Sequence, residues 1–116
     1  MSNWVNCNAD YRFQVDVTTP NGSGDLATPA AGVVTGLVVR LSDSNDGAAI
    51  NSAVDNLPAQ ETADRAGRFF YDCDTLFLQT YVLPLGTGKP FWAIWSKAGD
   101  LDLYVHRYRI TDHTRI

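Results

Sequence analysis

His106 is the residue whose chemistry needs testing first, because an imidazole near neutral pH can serve as a general base. That role requires a nucleophile and an orienting acid close by. Ser96 and Asp102 are the conceivable partners, and no motif spacing marks either of them. The other histidine, His113, sits in the polar tail, and its separation from His106 is not a metal-ligand spacing on one element. Asp43-Ser44-Asn45-Asp46-Gly47 sets oxygen-bearing side chains beside a glycine, as calcium loops do. It lacks the alternating positions and the closing Glu of an EF-hand, so it reads as a turn. Leu85-Gly86-Thr87-Gly88-Lys89-Pro90 faintly follows a phosphate loop, but the glycine spacing is wrong and Pro90 takes the hydroxyl position. The carboxylate pairs Asp72/Asp74 and Asp100/Asp102 would need an opposing acid across a cleft to cleave a glycoside.

Cys7 and Cys73 are too few for a Cys-only zinc site, and they read as small buried hydrophobes. The expectation is therefore a protein that is not an enzyme, with no cofactor and no metal. What remains is surface chemistry. Trp4, Phe91, Trp92, Trp95, Tyr104 and Tyr108 would make a sugar-stacking platform if they shared an exposed sheet face. The competing reading is core packing and protein interface. His106, Arg107, Arg109, His113 and Arg115 form the sharpest basic cluster, suited to an acidic partner or to keeping an edge strand soluble.

The elements that must position these groups are strands. Tyr11, Phe13, Val15 and Val17 alternate with Arg12, Gln14, Asp16 and Thr18, which predicts a strand with one dry and one wet face. Trp4 and Val5 precede it as a short edge strand or an arm. Residues 19–35 are rich in Pro, Gly and Asn and read as a long loop, a contact arm that includes Asp25 or else a plain surface loop. Gly36–Ser42 is a central strand, closed by a turn in which Gly47 is expected to supply a positive φ, with Ala48–Ile50 as a short continuation. Residues 51–66 read as irregular with a helical turn. Gly67–Cys73 is a strand with Phe69, Tyr71 and Cys73 on one face. Asp74 or Thr75 caps a short helix on which Leu76, Gln79, Thr80 and Leu83 are spaced three and four apart, with a buried strand as the competitor. Phe91–Ser96 has two apolar faces and belongs in the middle of a sheet. Leu101–Ile110 is the last and longest strand, followed by a polar tail.

The chain has 116 residues without a duplicated segment, which predicts one domain over 1–116. Hydrophobic content of 45% and charged content of 19% suit a globular fold. Five or six strands with at most one short helix predict an all-β, mostly antiparallel fold: an immunoglobulin-like sandwich or a partly closed barrel. No apolar run is long enough to span a bilayer, and no secretory leader is read at the N-terminus, so a protein folded in a cytosol and without a membrane is expected. Net charge is −4: residues 1–64 carry two arginines against eight acids, and residues 65–116 carry seven Lys/Arg against five Asp. Without a dense basic stripe, nucleic acid is not an expected partner. The opposite-signed halves suit packing between copies of the chain.

The run Val34-Thr35-Gly36-Leu37-Val38-Val39-Arg40-Leu41-Ser42, then Asp46-Gly47-Ala48-Ala49-Ile50, then Gly67-Arg68-Phe69, resembles small immunoglobulin-like virion proteins from the head, neck and tail modules of tailed bacteriophages. The similarity extends over about residues 34–110, ending in strand pairs like Phe91–Ser96 and Leu103–Ile110. It implies a structural subunit of a virus particle: a head decoration protein, a head–tail connector component, or a tail adaptor. Its partners would be other virion proteins and copies of itself. The residues expected at such contacts are Trp4, Asp25 in the arm, and Arg107, Arg109 and Arg115. A carbohydrate-binding β-sandwich is the alternative.

Overall fold

The alternation in Tyr11–Asp16 becomes a strand whose odd residues point inward: Phe13 and Val15 are buried while Arg12, Gln14 and Asp16 are exposed. The computed structural model describes residues 3–20, 26–27, 32, 34–97 and 102–112. In chain order the strands are β1 (Asn3–Asn6), β2 (Tyr11–Asp16), β3 (Thr19–Pro20), β4 (Leu26–Ala27), β5 (Leu37–Ser42), β6 (Leu57–Pro58), β7 (Gln60–Glu61), β8 (Arg68–Cys73), β9 (Pro90–Lys97) and β10 (Asp102–Thr111). One α-helix, α1 (Thr75–Tyr81), and two short 3-10 turns, Ser52–Val54 and Leu83–Leu85, complete them.

Two open sheets face each other. One has the order β1-β10-β9-β5-β6, the other β2-β8-β7. Every pairing in them is antiparallel except β1 with β10, which is parallel. The fold is thus a mostly antiparallel β-sandwich, and neither sheet closes into a barrel. Its strand order follows the immunoglobulin arrangement, with the second strand's sheet opposed to the sheet of the last two strands. The doubly apolar β9 sits at the centre of the larger sheet, as its sequence requires.

Aromatic edges lock the sheets together. The Phe13 ring from the smaller sheet meets Phe91 at 6.1 Å and Tyr108 at 5.2 Å, both edge-to-face. Val39, Leu41, Ala93, Trp95, Val5 and Ile110 are among the residues packed in the same core without exposure. Asp74 caps α1 by accepting from the Phe77 amide at 2.7 Å.

Four local expectations are corrected. The loop 19–35 contains a two-residue ladder, Thr19 opposite Ala27 and Pro20 opposite Leu26; Asp25 lies outside the described residues. The helix does not bury Leu76, which is 72% exposed, but Leu78 and Val82. Its rotation puts the Phe77 ring against Tyr71 and Tyr81, a larger apolar set than the one read from spacing. Gly47 is absent from the positive-φ residues. Its value is close approach, because a Cβ there would collide with Ser44 Oγ. The loop it belongs to is drawn onto the sheet by Arg40 Nε donating to the Gly47 carbonyl (2.9 Å) and Ser42 Oγ donating to the Ala48 carbonyl (2.8 Å). Ala48–Ile50 consequently runs on as bend and coil, not as a strand, with the Ile50 amide donating to the Leu41 carbonyl at 2.9 Å.

Candidate interaction surface

Strand register decides which of the singled-out residues meet. On β10, His106 lies opposite Ala93 and faces the core side, half-buried, where burial lowers its pKa. Ser96 lies opposite Asp102, on the strand face that alternates away from buried Trp95. Serine and histidine are therefore on opposite faces of the sheet, and a Ser96–His106–Asp102 relay does not form.

The carboxylates are occupied structurally. Asp10, Arg12, Asp72 and Asp74 rim a shallow, open depression of about 440 Å³. Asp10 accepts from the Thr75 amide (2.9 Å) and hydroxyl (3.0 Å), Asp74 caps α1, and Asp72 binds Arg12 at 2.7 and 3.0 Å. No cluster of His, Cys, Asp or Glu suited to a metal occurs among the described residues. The Gly86–Lys89 stretch offers no anion cradle either. Its Gly88 amide donates to the Ile110 carbonyl (2.7 Å) and its Lys89 amide to the Gly86 carbonyl (3.1 Å). Cys7 and Cys73 are free and buried, and burial pushes their thiols up to about 11 and about 12. They are poor nucleophiles at neutral pH.

The aromatics divide. Phe91, Trp95 and Tyr108 belong to the core, so the six-residue stacking platform does not exist. Tyr104 is half-buried, and its hydroxyl accepts from the Thr18 amide at 3.0 Å. Trp4 and Trp92 instead face outward from the five-stranded sheet, 52% exposed and half-buried respectively.

That outer face carries the strongest surface feature. Cross-strand rows run Trp4–Arg109–Pro90, then Arg107–Trp92–Ser42, then Val105–Ile94–Arg40. The loop held by Arg40 and Ser42 lies against the β5 side. The β1–β10 side keeps Trp4, Val105 (42% exposed) and Arg107 in the open. Ile94 is fully buried although it points to this face, so its neighbours' side chains seal it. The expected basic pair is unequal: Arg109 spends its guanidinium on the Gly88 carbonyl at 3.0 Å, whereas Arg107 has no partner among the described residues. His106 points to the other side of the sheet, and His113 and Arg115 lie outside the described residues. Sequence reasoning groups Trp92 with Trp4 in the six-residue platform but misses Val105 as their companion, because only the parallel β1–β10 register shows which residues share a face.

The opposite outer face, on the three-stranded sheet, is self-satisfied. Arg12 pairs with Asp72, and Arg68 pairs with Asp16 at 2.8 Å. The Arg12 guanidinium also lies 3.9 Å over the Phe70 ring. No helix among the described residues is long and apolar enough to cross a membrane. No protein-family model, curated protein or solved structure matches the chain.

Proposed function

We propose that this chain is a structural subunit of a tailed-phage virion, a head decoration, head–tail connector or tail adaptor protein, that works by protein–protein contact. The observation that carries this reading is the open strip of Trp4, Val105 and Arg107 on a rigid sheet face. Two exposed apolar side chains around an arginine with no partner among the described residues are the composition of an interface centre. The resemblance over residues 34–110 supplies the virion setting. Acidic groups elsewhere on an assembly would meet Arg107. The test is mass spectrometry and imaging of purified particles with and without the Arg107→Glu variant. Particles that lack the protein in wild-type form would sink the proposal.

A carbohydrate-binding reading draws on Trp4 and half-buried Trp92 sharing that same face. Glycan-array binding that is lost in a folded Trp92→Ala variant would favour it over the virion role.

A further inference from the structure

Among the described residues, β2 is the longest strand at any sheet edge, and its outer side is unpaired. It bonds there to β8 alone. The phase of that pairing is fixed from both sides at the start of β8: the Val17 amide donates to the Gly67 carbonyl at 2.8 Å, and on the far side the Thr62 amide donates to the Arg68 carbonyl at 2.8 Å. In an antiparallel ladder the bonded pairs alternate. Tyr11, Phe13, Val15 and Val17 therefore turn their backbone groups toward β8, and Arg12, Gln14 and Asp16 turn theirs outward. Thr18, next in the outward series, finds the Tyr104 hydroxyl. Arg12, Gln14 and Asp16 have no backbone partner among the described residues.

We propose that this edge pairs antiparallel with the β2 edge of a second copy of the chain, about a two-fold axis at Gln14. The sequence is self-complementary in that register. Arg12 meets the partner's Asp16, Gln14 meets the partner's Gln14, and Asp16 meets the partner's Arg12. All are outward-bonding residues, so each opposed pair exchanges both backbone hydrogen bonds. The side chains extend rows already present. Asp72 and Arg12 on one copy continue into Asp16 and Arg68 of the other, alternating in sign across the joined sheet. Charges that guard an edge against pairing would repel a second copy. Here they are opposite in sign and symmetric about Gln14, so a second copy meets its complement. The interface is isologous, as two-fold dimers require.

Phe13 and Val15 are already covered within the monomer, at 1% and 3% exposure. Pairing thus gains backbone bonds and charge rows with little fresh apolar burial, and the association is weak in dilute solution. The inference does not rest on the virion assignment, and its test uses the isolated full chain. Sedimentation velocity up to millimolar protein gives a monomer–dimer equilibrium for wild type. Gln14→Pro abolishes it while leaving the fold intact, because the lost amide points away from β8. Arg12→Glu and Asp16→Lys each weaken self-association on the order of tenfold, and mixing the two variants restores a dimer. Gln14→Cys forms an intermolecular disulfide on mild oxidation, whereas Asp64→Cys, on the exposed turn before β8, does not. A wild type that stays monomeric and a Gln14→Cys variant that does not cross-link overturn the proposal. So does a dimer indifferent to Gln14→Pro.

Discussion

The Tyr104 hydroxyl accepts a hydrogen bond from the Thr18 amide at 3.0 Å, joining two residues 86 positions apart. The bond ties the end of the β2 segment, in one sheet, to β10 in the other. It also ends the run of outward-facing amides on β2, so it marks where the open edge stops. Tyr104→Phe keeps the ring and removes the acceptor. The expected cost is about 1 kcal/mol, read as a shift in urea midpoint. Faster hydrogen exchange at the Thr18 amide, with most core amides unchanged, identifies the bond as the cause. An unchanged Thr18 exchange rate would contradict the assignment.

Glu61 joins two glycines. Its carboxylate oxygens accept from the Gly32 amide and the Gly67 amide, each at 2.8 Å. Those backbone donors, Gly67 first, hold the carboxyl below its usual range. A lowered folded pKa means stabilisation present above the unfolded value and lost as pH falls through the folded one. Wild type should therefore lose stability between neutral pH and about pH 3 more steeply than Glu61→Gln, which has no charge to protonate. Parallel pH profiles for the two proteins would refute the linkage.

The thiols act at the other end of the pH scale. Burial raises Cys7 to about 11 and Cys73 to about 12, above the ordinary thiol range, with nearby aspartates pushing the same way. A raised folded pKa gives stability that is complete below the unfolded value and disappears as pH climbs through the folded one. Wild type should weaken from about pH 9 upward more than a Cys7→Ala/Cys73→Ala variant. The paired comparison is needed because burial also raises Tyr108 and Tyr11. At neutral pH a thiol reagent should find no reactive cysteine in the native protein and both in denaturant. Rapid native labelling would show that the cysteines are not enclosed.

Much of the sandwich could be read from residue order because its driving pattern is local. The alternation through Tyr11–Asp16, the doubly apolar Phe91–Ser96 and the capping Asp74 each carry their own reason for being where they are. The two-residue strands β6 and β7 have no period to read. They exist because the main strands β5 and β8 present free edges to them. The candidate surface was half legible. Trp4 and Arg107 were identifiable by type, but Arg109's loss to the Gly88 carbonyl and the arrival of Val105 beside them depend on non-local register. Trp92 and Trp95 stand three positions apart on one strand and so face opposite ways, but only burial tells which of the two faces is dry. The symmetric charges around Gln14 were visible in the sequence. Their meaning required knowing that β2 stands at an edge.

Trp4, Arg107 and Trp95 make the sharpest contrast between surface work and core work. Trp4 and Arg107 stand on the outer face with no described hydrogen-bond or ion-pair partner, so Trp4→Ala and Arg107→Glu should each change stability by no more than about 0.5 kcal/mol. On the virion role proposed above, their effect should appear instead as reduced occupancy on purified particles. Trp95 is fully buried, and its indole Nε1 has no hydrogen-bond partner among the described residues. Trp95→Ala opens a cavity at the centre of the core and should cost about 3–5 kcal/mol. Trp95→Phe should cost less, since it retains most of the apolar volume and removes the orphaned N–H. Thermal and urea unfolding measure all four variants on one scale. If Trp95→Ala proved as benign as Trp4→Ala, the two sheets would not be packed on Trp95. If Trp4→Ala were the destabilising one, the exposed strip would be part of the core and unavailable to a partner.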